Sequence, residues 1–124
     1  MPVSAAQRQA WQRRLAAEAV ALAERQASAR LLAQEAARLL GERWPQLQGV
    51  WLFGSLHDGR FGLHSDVDLA VAGLPADGLL SAMALLEPLQ TGAIAIDLVR
   101  LEDLDPHWQQ RIRERGACLG PEHG

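Results

Sequence analysis

Leu52-Phe53-Gly54-Ser55 and, after ten intervening residues, Asp66-Val67-Asp68-Leu69-Ala70-Val71 are the stretches on which the reading of this chain turns. The first belongs to the short apolar run Gly49-Val50-Trp51-Leu52-Phe53-Gly54, which is bounded by glycines and suits a buried strand. The second alternates. Val67, Leu69 and Val71 share one face, while Asp66, Asp68 and Ala70 share the other. A third run, Ala93-Ile94-Ala95-Ile96-Asp97-Leu98-Val99, repeats the pattern, with Ile94, Ile96 and Leu98 on one face and Asp97 opposite. Acids thus recur on strands whose other faces are apolar.

Outward from these strands the period changes to that of a helix. From Ser4 to Arg43 there is no proline and no glycine before Gly41, and Ala, Leu, Gln, Glu and Arg dominate, so a helix is predicted. Trp11, Leu15, Leu22, Leu31, Leu32, Leu39 and Leu40 are its expected apolar contacts. This is one helix of about ten turns or two with a break near Ser28, and because some forty residues is long for a small domain, a bend or break is favoured. The arm over residues 4–27 exceeds what the core needs and either meets a partner or packs along the domain's own back. A loop or short helix follows Ser55. Gly73-Leu74-Pro75 is a turn, and Ala76 to Leu89 a helix directing Leu79, Leu80, Met83, Leu86 and Leu89 toward a sheet. Asp105-Pro106 opens a last helix that stops at Gly116. The expectation is one α/β domain over residues 1–124, a small mixed sheet flanked by helices, with residues 1–28 as a helical N-terminal arm and 29–119 as the core.

Composition narrows the function classes. The chain of 124 residues is 48% hydrophobic and 22% charged, the profile of a folded globular protein. Its formal charge of −3 lacks the basic footprint of phosphate-backbone binding, so direct DNA binding is not expected. All 12 basic residues are arginine, which excludes a Schiff-base lysine, and tyrosine is absent. Cys118 stands alone, so neither an intrachain disulfide nor a cysteine zinc cluster can form, and a buried or half-buried thiol is expected. No stretch approaches the roughly 18 apolar residues of a membrane span, and the N-terminus has no apolar signal core, which predicts a cytoplasmic protein without membrane attachment.

Carboxylates on half-buried strands are costly unless a cation pairs with them. Asp66 and Asp68, two apart, project from one strand edge, and Asp97 joins them if its strand is a near neighbour. Three oxygen-only ligands with no histidine or cysteine cluster suit Mg2+ or Mn2+, which keep waters and complete their shells from phosphates. Two such ions roughly 4 Å apart can clamp an in-line displacement at phosphorus. Gly54-Ser55 supplies the phosphate half: glycine admits close backbone approach, and Ser55 offers a hydroxyl at an expected helix N-terminus.

Gly54-Ser55, the ten-residue spacing, Asp66-Val67-Asp68 and the later strand acid Asp97 resemble the signature of the DNA polymerase beta-like nucleotidyltransferase superfamily. The flanking letters are most similar to its minimal nucleotidyltransferase branch, the MNT-type antitoxins paired with HEPN-domain toxins. The resemblance spans about residues 29–119. It implies Gly54 and Ser55 on the triphosphate, Asp66 and Asp68 on both metals, and Asp97 on the catalytic metal, helping to deprotonate the attacking hydroxyl. It further implies transfer of AMP from ATP to a tyrosine hydroxyl of a HEPN toxin, with pyrophosphate leaving; the acceptor tyrosine must then lie on the partner. Many members carry Ala-Arg shortly after Gly-Ser, where this chain has His57-Asp58 and its nearest arginine is Arg60. Charge neutralisation is kept if Arg60 reaches the phosphates and is weakened if it stays on the surface. Two rival functions remain: a non-catalytic antitoxin acting by stoichiometric binding, and a nucleotidyltransferase for a small alcohol.

The other conspicuous residues read as structural. His57 and His64 are expected as solvated loop residues, His107 falls in the first turn of the last helix, and His123 lies in the tail. Trp11, Trp44, Trp51 and Trp108 read as core or interface packing, and Arg111, Arg113, Glu114 and Arg115 as a solvated helix face.

Overall fold

The computed structural model describes residues 2–90, 92 and 94–120. Its elements run α1 (Ala5–Arg43), β1 (Gly49–Phe53), β2 (Val67–Ala72), α2 (Leu79–Leu86), β3 (Ile96–Arg100), α3 (Pro106–Arg115) and β4 (Ala117–Gly120). Short 3-10 turns at Ala76–Gly78 and Glu87–Leu89 flank α2, and another at Leu101–Asp103 precedes α3. The strands form one mixed sheet in the order β3-β2-β1-β4. β1 pairs antiparallel with both β2 and β4, whereas β2 and β3 are parallel, joined by the crossover through α2.

Each sheet face meets its own helices. Val50, Leu52, Val67, Leu69, Val71 and Leu98 pack with Ala29, Ala33, Ala36, Ala37 and Leu40 of α1 and with Ala82 and Leu86 of α2. On the opposite face Trp51, Ala70 and Ala72 pack with Leu101 and Ile112, so α3 covers part of that side. By strand alternation, Asp68 and Asp97 belong to this second face.

Helix α1 is unbroken, which corrects the expected bend or break near Ser28. Ser28 is one exposed serine among strong helix formers, too weak a disruption to interrupt the ladder. Ser4 starts the helix in a capping box: its hydroxyl accepts from the Gln7 amide, and the Gln7 side chain accepts from the Ser4 amide. At 1.5 Å per residue the 39 residues span about 58 Å, and side chains 2–21 are all exposed. The expected apolar contacts Trp11 (58% exposed), Leu15 and Leu31 therefore lie outside the core. Alanines form the buried stripe instead, because small side chains let the helix approach the sheet closely.

Other sequence expectations shift in detail. The second helix buries Ala82 and Leu86, while Leu80, 80% exposed, and Met83 face solvent; the 3-10 ends rotate its face away from that of one uniform helix. Strand β3 begins at Ile96, and Ala93, its expected first residue, lies outside the described residues, as does His123. Strand β4 was not expected, since four residues after a helix are too short to show a period. It places Cys118 exposed on an edge strand, correcting the buried or half-buried thiol. Trp44 and Trp51 are buried, whereas Trp11 and Trp108 are exposed and lie outside the core. Among the described residues no helix is long and apolar enough to cross a membrane.

The alanine stripe yields a direct test. Ala36→Leu, at a position with no exposed surface, is expected to overpack the α1–sheet contact and cost about 1–3 kcal/mol. Leu31→Ala, on the exposed side of the same helix, should change stability by less than about 0.5 kcal/mol. Thermal and urea unfolding followed by circular dichroism measure both.

Candidate active site

Parallel pairing of β2 with β3 sets Asp68 directly beside Asp97, on strands separated by about 4.8 Å. Asp66 immediately precedes β2 on the same side of the alternation. Across the other edge of β2, Asp68 pairs in register with Phe53, so the last residue of β1 and Gly54 adjoin it. Asp66 and Asp97 are exposed, and Asp68 is half-buried. Burial holds the Asp68 carboxyl above the usual carboxylate range, and the nearby charges of Asp97 and Asp66 push it further in the same direction. Three like charges are thus brought to one end of the sheet's second face.

Gly54 explains why glycine ends β1. Its φ is +78°, in the left-handed region, and a Cβ there would collide with the Asp68 carboxylate. The chain then turns instead of entering a helix: the Asp58 amide donates to the Gly54 carbonyl at 2.9 Å, and the Arg60 amide to the Ser55 carbonyl at 2.8 Å. Ser55 therefore stands half-buried in a turn, which corrects the expected helix N-terminus. The two short-range bonds satisfy the backbone locally, and glycines at 54 and 59, both with positive φ, keep the segment from continuing helically.

The loop from this turn to Asp66 is clamped by α1. Arg25 donates from Nε to the Gly62 carbonyl at 3.2 Å and from Nη2 to the Ser65 carbonyl at 3.1 Å. Gln26 donates to the Phe61 carbonyl at 3.3 Å, and Arg30 to the Leu56 carbonyl at 3.1 Å. Phe61 is fully buried beneath, with the Arg25 guanidinium 5.4 Å from its ring centroid. These side chains hold the spacing between Gly54-Ser55 and Asp66 in one conformation. Sequence reasoning missed them; the available signal was Arg25, a polar residue four positions before Ala29 on an otherwise apolar stripe.

Arg60 is 74% exposed and pairs with Asp58 at 3.0 Å. It lines a cleft of about 450 Å³ between the turn and α3, together with Phe53, Gly54, His57, Trp108, Arg111 and Arg115. His57 is half-buried and donates from Nε2 to the Arg115 carbonyl, which corrects its reading as a solvated loop residue. Trp108, 47% exposed, and Arg111 form part of the wall; Arg111, Arg113, Glu114 and Arg115 are all exposed, as expected of a solvated helix face.

The donor set suits a hard divalent cation. It is all carboxylate oxygen, backed by a glycine whose missing side chain leaves the Asp68 carboxylate its place. Among the described residues no three His, Cys, Asp or Glu side chains are already drawn close enough to hold a metal ion.

A family model, Polymerase beta, Nucleotidyltransferase, matches residues 34–121. No curated protein sequence matches the chain. Among solved structures, a toxin-antitoxin with AMP-PNP is 27% identical, with a TM-score of 0.57, covering 69% of this chain and 70% of that one. The toxin-antitoxin MntA-HepT is 24% identical, with a TM-score of 0.54 and coverage of 75% and 73%. A candidate nucleotidyltransferase from Sulfolobus solfataricus, 19% identical, has a TM-score of 0.52 and coverage of 78% and 84%. The mixed sheet with its carboxylates beside a glycine turn, and a family match over most of the chain, lead to one conclusion: the protein belongs to the polymerase beta nucleotidyltransferase family.

Proposed function

We propose that the chain is one nucleotidyltransferase unit with a helical arm and acts as a protein adenylyltransferase, moving AMP from ATP to a hydroxyl, a tyrosine by preference, of a HEPN-type toxin that it thereby silences. The reading rests on one juxtaposition, Asp68 in register with Asp97 and in contact with Gly54, with Asp66 adjoining. The toxin-antitoxin character of two similar structures, one holding AMP-PNP, supports the partner and the nucleotide.

In this reading Asp66, Asp68 and Asp97 hold Mg2+ or Mn2+, and Gly54 and Ser55 receive the phosphates through backbone approach and a hydroxyl. When bound, a cation held by these carboxylates would supply Lewis acidity at the phosphoryl oxygens. Asp97, exposed and in register with Asp68, would accept the proton of the incoming hydroxyl. The oxygen–phosphorus bond forms as the bond to the bridging oxygen breaks, and pyrophosphate departs with the electron pair. The acceptor comes from another chain because this one has no tyrosine.

The test is label transfer from ATP labelled at the α-phosphate, with magnesium, to the product of the neighbouring reading frame. Label is expected on that partner and should vanish with Asp66→Asn. The engagement of Arg60 by Asp58 favours a second reading, neutralisation by binding alone. That reading gains if the unlabelled partner still co-purifies and stays silent with Asp66→Asn.

A further inference from the structure

The cleft between the β1 turn and α3 is charged oppositely to the chain. The protein has a formal charge of −3, yet the cleft wall sets Arg60, Arg111 and Arg115 against the single carboxylate of Asp58. Asp58 neutralises Arg60, whereas among the described residues Arg111 and Arg115 have no ion-pair partner. Four residues apart on α3, they project side by side from one helix face. Arg111 is steadied by Trp108, its guanidinium carbon 5.5 Å from the ring centroid. The C-terminal end of α3 is anchored twice: His57 donates to the Arg115 carbonyl, and Gly116 approaches the Leu52 carbonyl so closely that a Cβ would lie 3.1 Å from it. Two like charges held in one concavity repel, and a multivalent anion bridging them relieves that repulsion with charge-assisted, fork-shaped hydrogen bonds. The cleft meets the carboxylates at Gly54, which lines the cleft and packs against Asp68. Its volume of about 450 Å³ suits a ligand of nucleotide size.

We propose that Arg111 and Arg115 form a cradle for the β- and γ-phosphates of the nucleoside triphosphate, an inference that rests on the nucleotidyltransferase reading above. The α-phosphate stays at the carboxylates beside Gly54, and the two outer phosphates enter the cleft. As the acceptor oxygen bonds to the α-phosphorus, the bond to the bridging oxygen breaks and its electron pair goes to pyrophosphate. The hydroxyl proton goes to Asp97. The guanidiniums meet the negative charge where it accumulates, so α3, which connects β3 to β4, takes part in substrate binding.

Calorimetric titration of the full chain with AMP-PNP and magnesium, compared with AMP, tests the cradle. Arg111→Ala and Arg115→Ala should each weaken AMP-PNP binding about tenfold, the loss of one charged hydrogen-bonding group, and AMP binding less than about threefold. Arg113→Ala is the control: it removes the same charge from the same helix, but its guanidinium lies over Trp51, 5.2 Å from the ring centroid, and the loss should stay below about twofold. Wild-type affinity in Arg111→Ala and Arg115→Ala overturns the cradle while leaving the nucleotidyltransferase reading intact, since nucleotide is still bound. Equal losses in Arg113→Ala, or for AMP and AMP-PNP alike, also overturn it. A wild-type chain that binds no nucleotide removes that reading and the cradle together.

Discussion

Asp68→Asn is expected to lower nucleotidyl transfer by roughly a thousandfold, about 4 kcal/mol of transition-state stabilisation, while leaving the protein folded and more stable. Asp68 is the central carboxylate, beside Asp97 in the parallel register and next to Asp66 along the chain. An amide keeps the shape but cannot supply the negative oxygen that a divalent cation requires. The stability gain has a separate cause. Burial and two neighbouring carboxylates raise the Asp68 pKa above its ordinary 3.8, so the folded state binds the proton more tightly than the unfolded chain. Stability from this group is fully present below about 3.8 and is lost as pH rises through the higher folded value. At neutral pH without metal, the ionised carboxylate therefore destabilises the fold, and its replacement removes that cost. Unfolding midpoints at pH 7 should be higher for the variant, with the difference shrinking toward pH 4. Adding magnesium should raise the midpoint of the wild type and leave the variant little changed. A variant that is inactive and also less stable at pH 7 would contradict this account.

Gly54→Ala should lower activity by roughly a hundredfold, the cost of a misplacement near 1 Å at a reacting centre, and destabilise the fold by about 1–3 kcal/mol. The backbone at φ +78° disfavours any L side chain, and the added methyl would meet the Asp68 carboxylate. Two remedies exist, rotating Asp68 away or shifting the end of β1, and each displaces a group that the proposed reaction needs. Gly59→Ala separates strain from contact. Gly59 has nearly the same φ, +79°, but open space around its Cβ position. It should share the backbone strain and lose far less activity. Steady-state transfer kinetics beside urea unfolding of both variants resolve the two effects.

Most strand and helix types were legible because their side-chain periods are local. Val67, Leu69 and Val71 against Asp66 and Asp68 could only be a strand with one buried face, and Asp105-Pro106 marked the start of α3. Strand β4 was not legible, since four residues without a period gain their order from the edge of β1. The carboxylates and Gly54-Ser55 could be picked out as candidates from spacing and cost. The cleft could not, because Trp108, Arg111 and Arg115 lie more than fifty residues beyond Gly54, and locally Trp108 reads as packing and the two arginines as an exposed helix face.

By itself the sequence determined the α/β class, the alternation that turns the acids away from the apolar core, and the family signature across ten residues. Those properties follow from near neighbours along the chain, where steric and hydrophobic patterning act directly. Tertiary structure decided that β3 lies parallel beside β2, so that Asp97 joins Asp68, and that α1 runs unbroken and clamps the loop before Asp66 through Arg25, Gln26 and Arg30. It also decided that His57 ties the turn to α3. Strand order and such long-range clamps depend on which surfaces are buried together when the chain closes, and no local period encodes that choice.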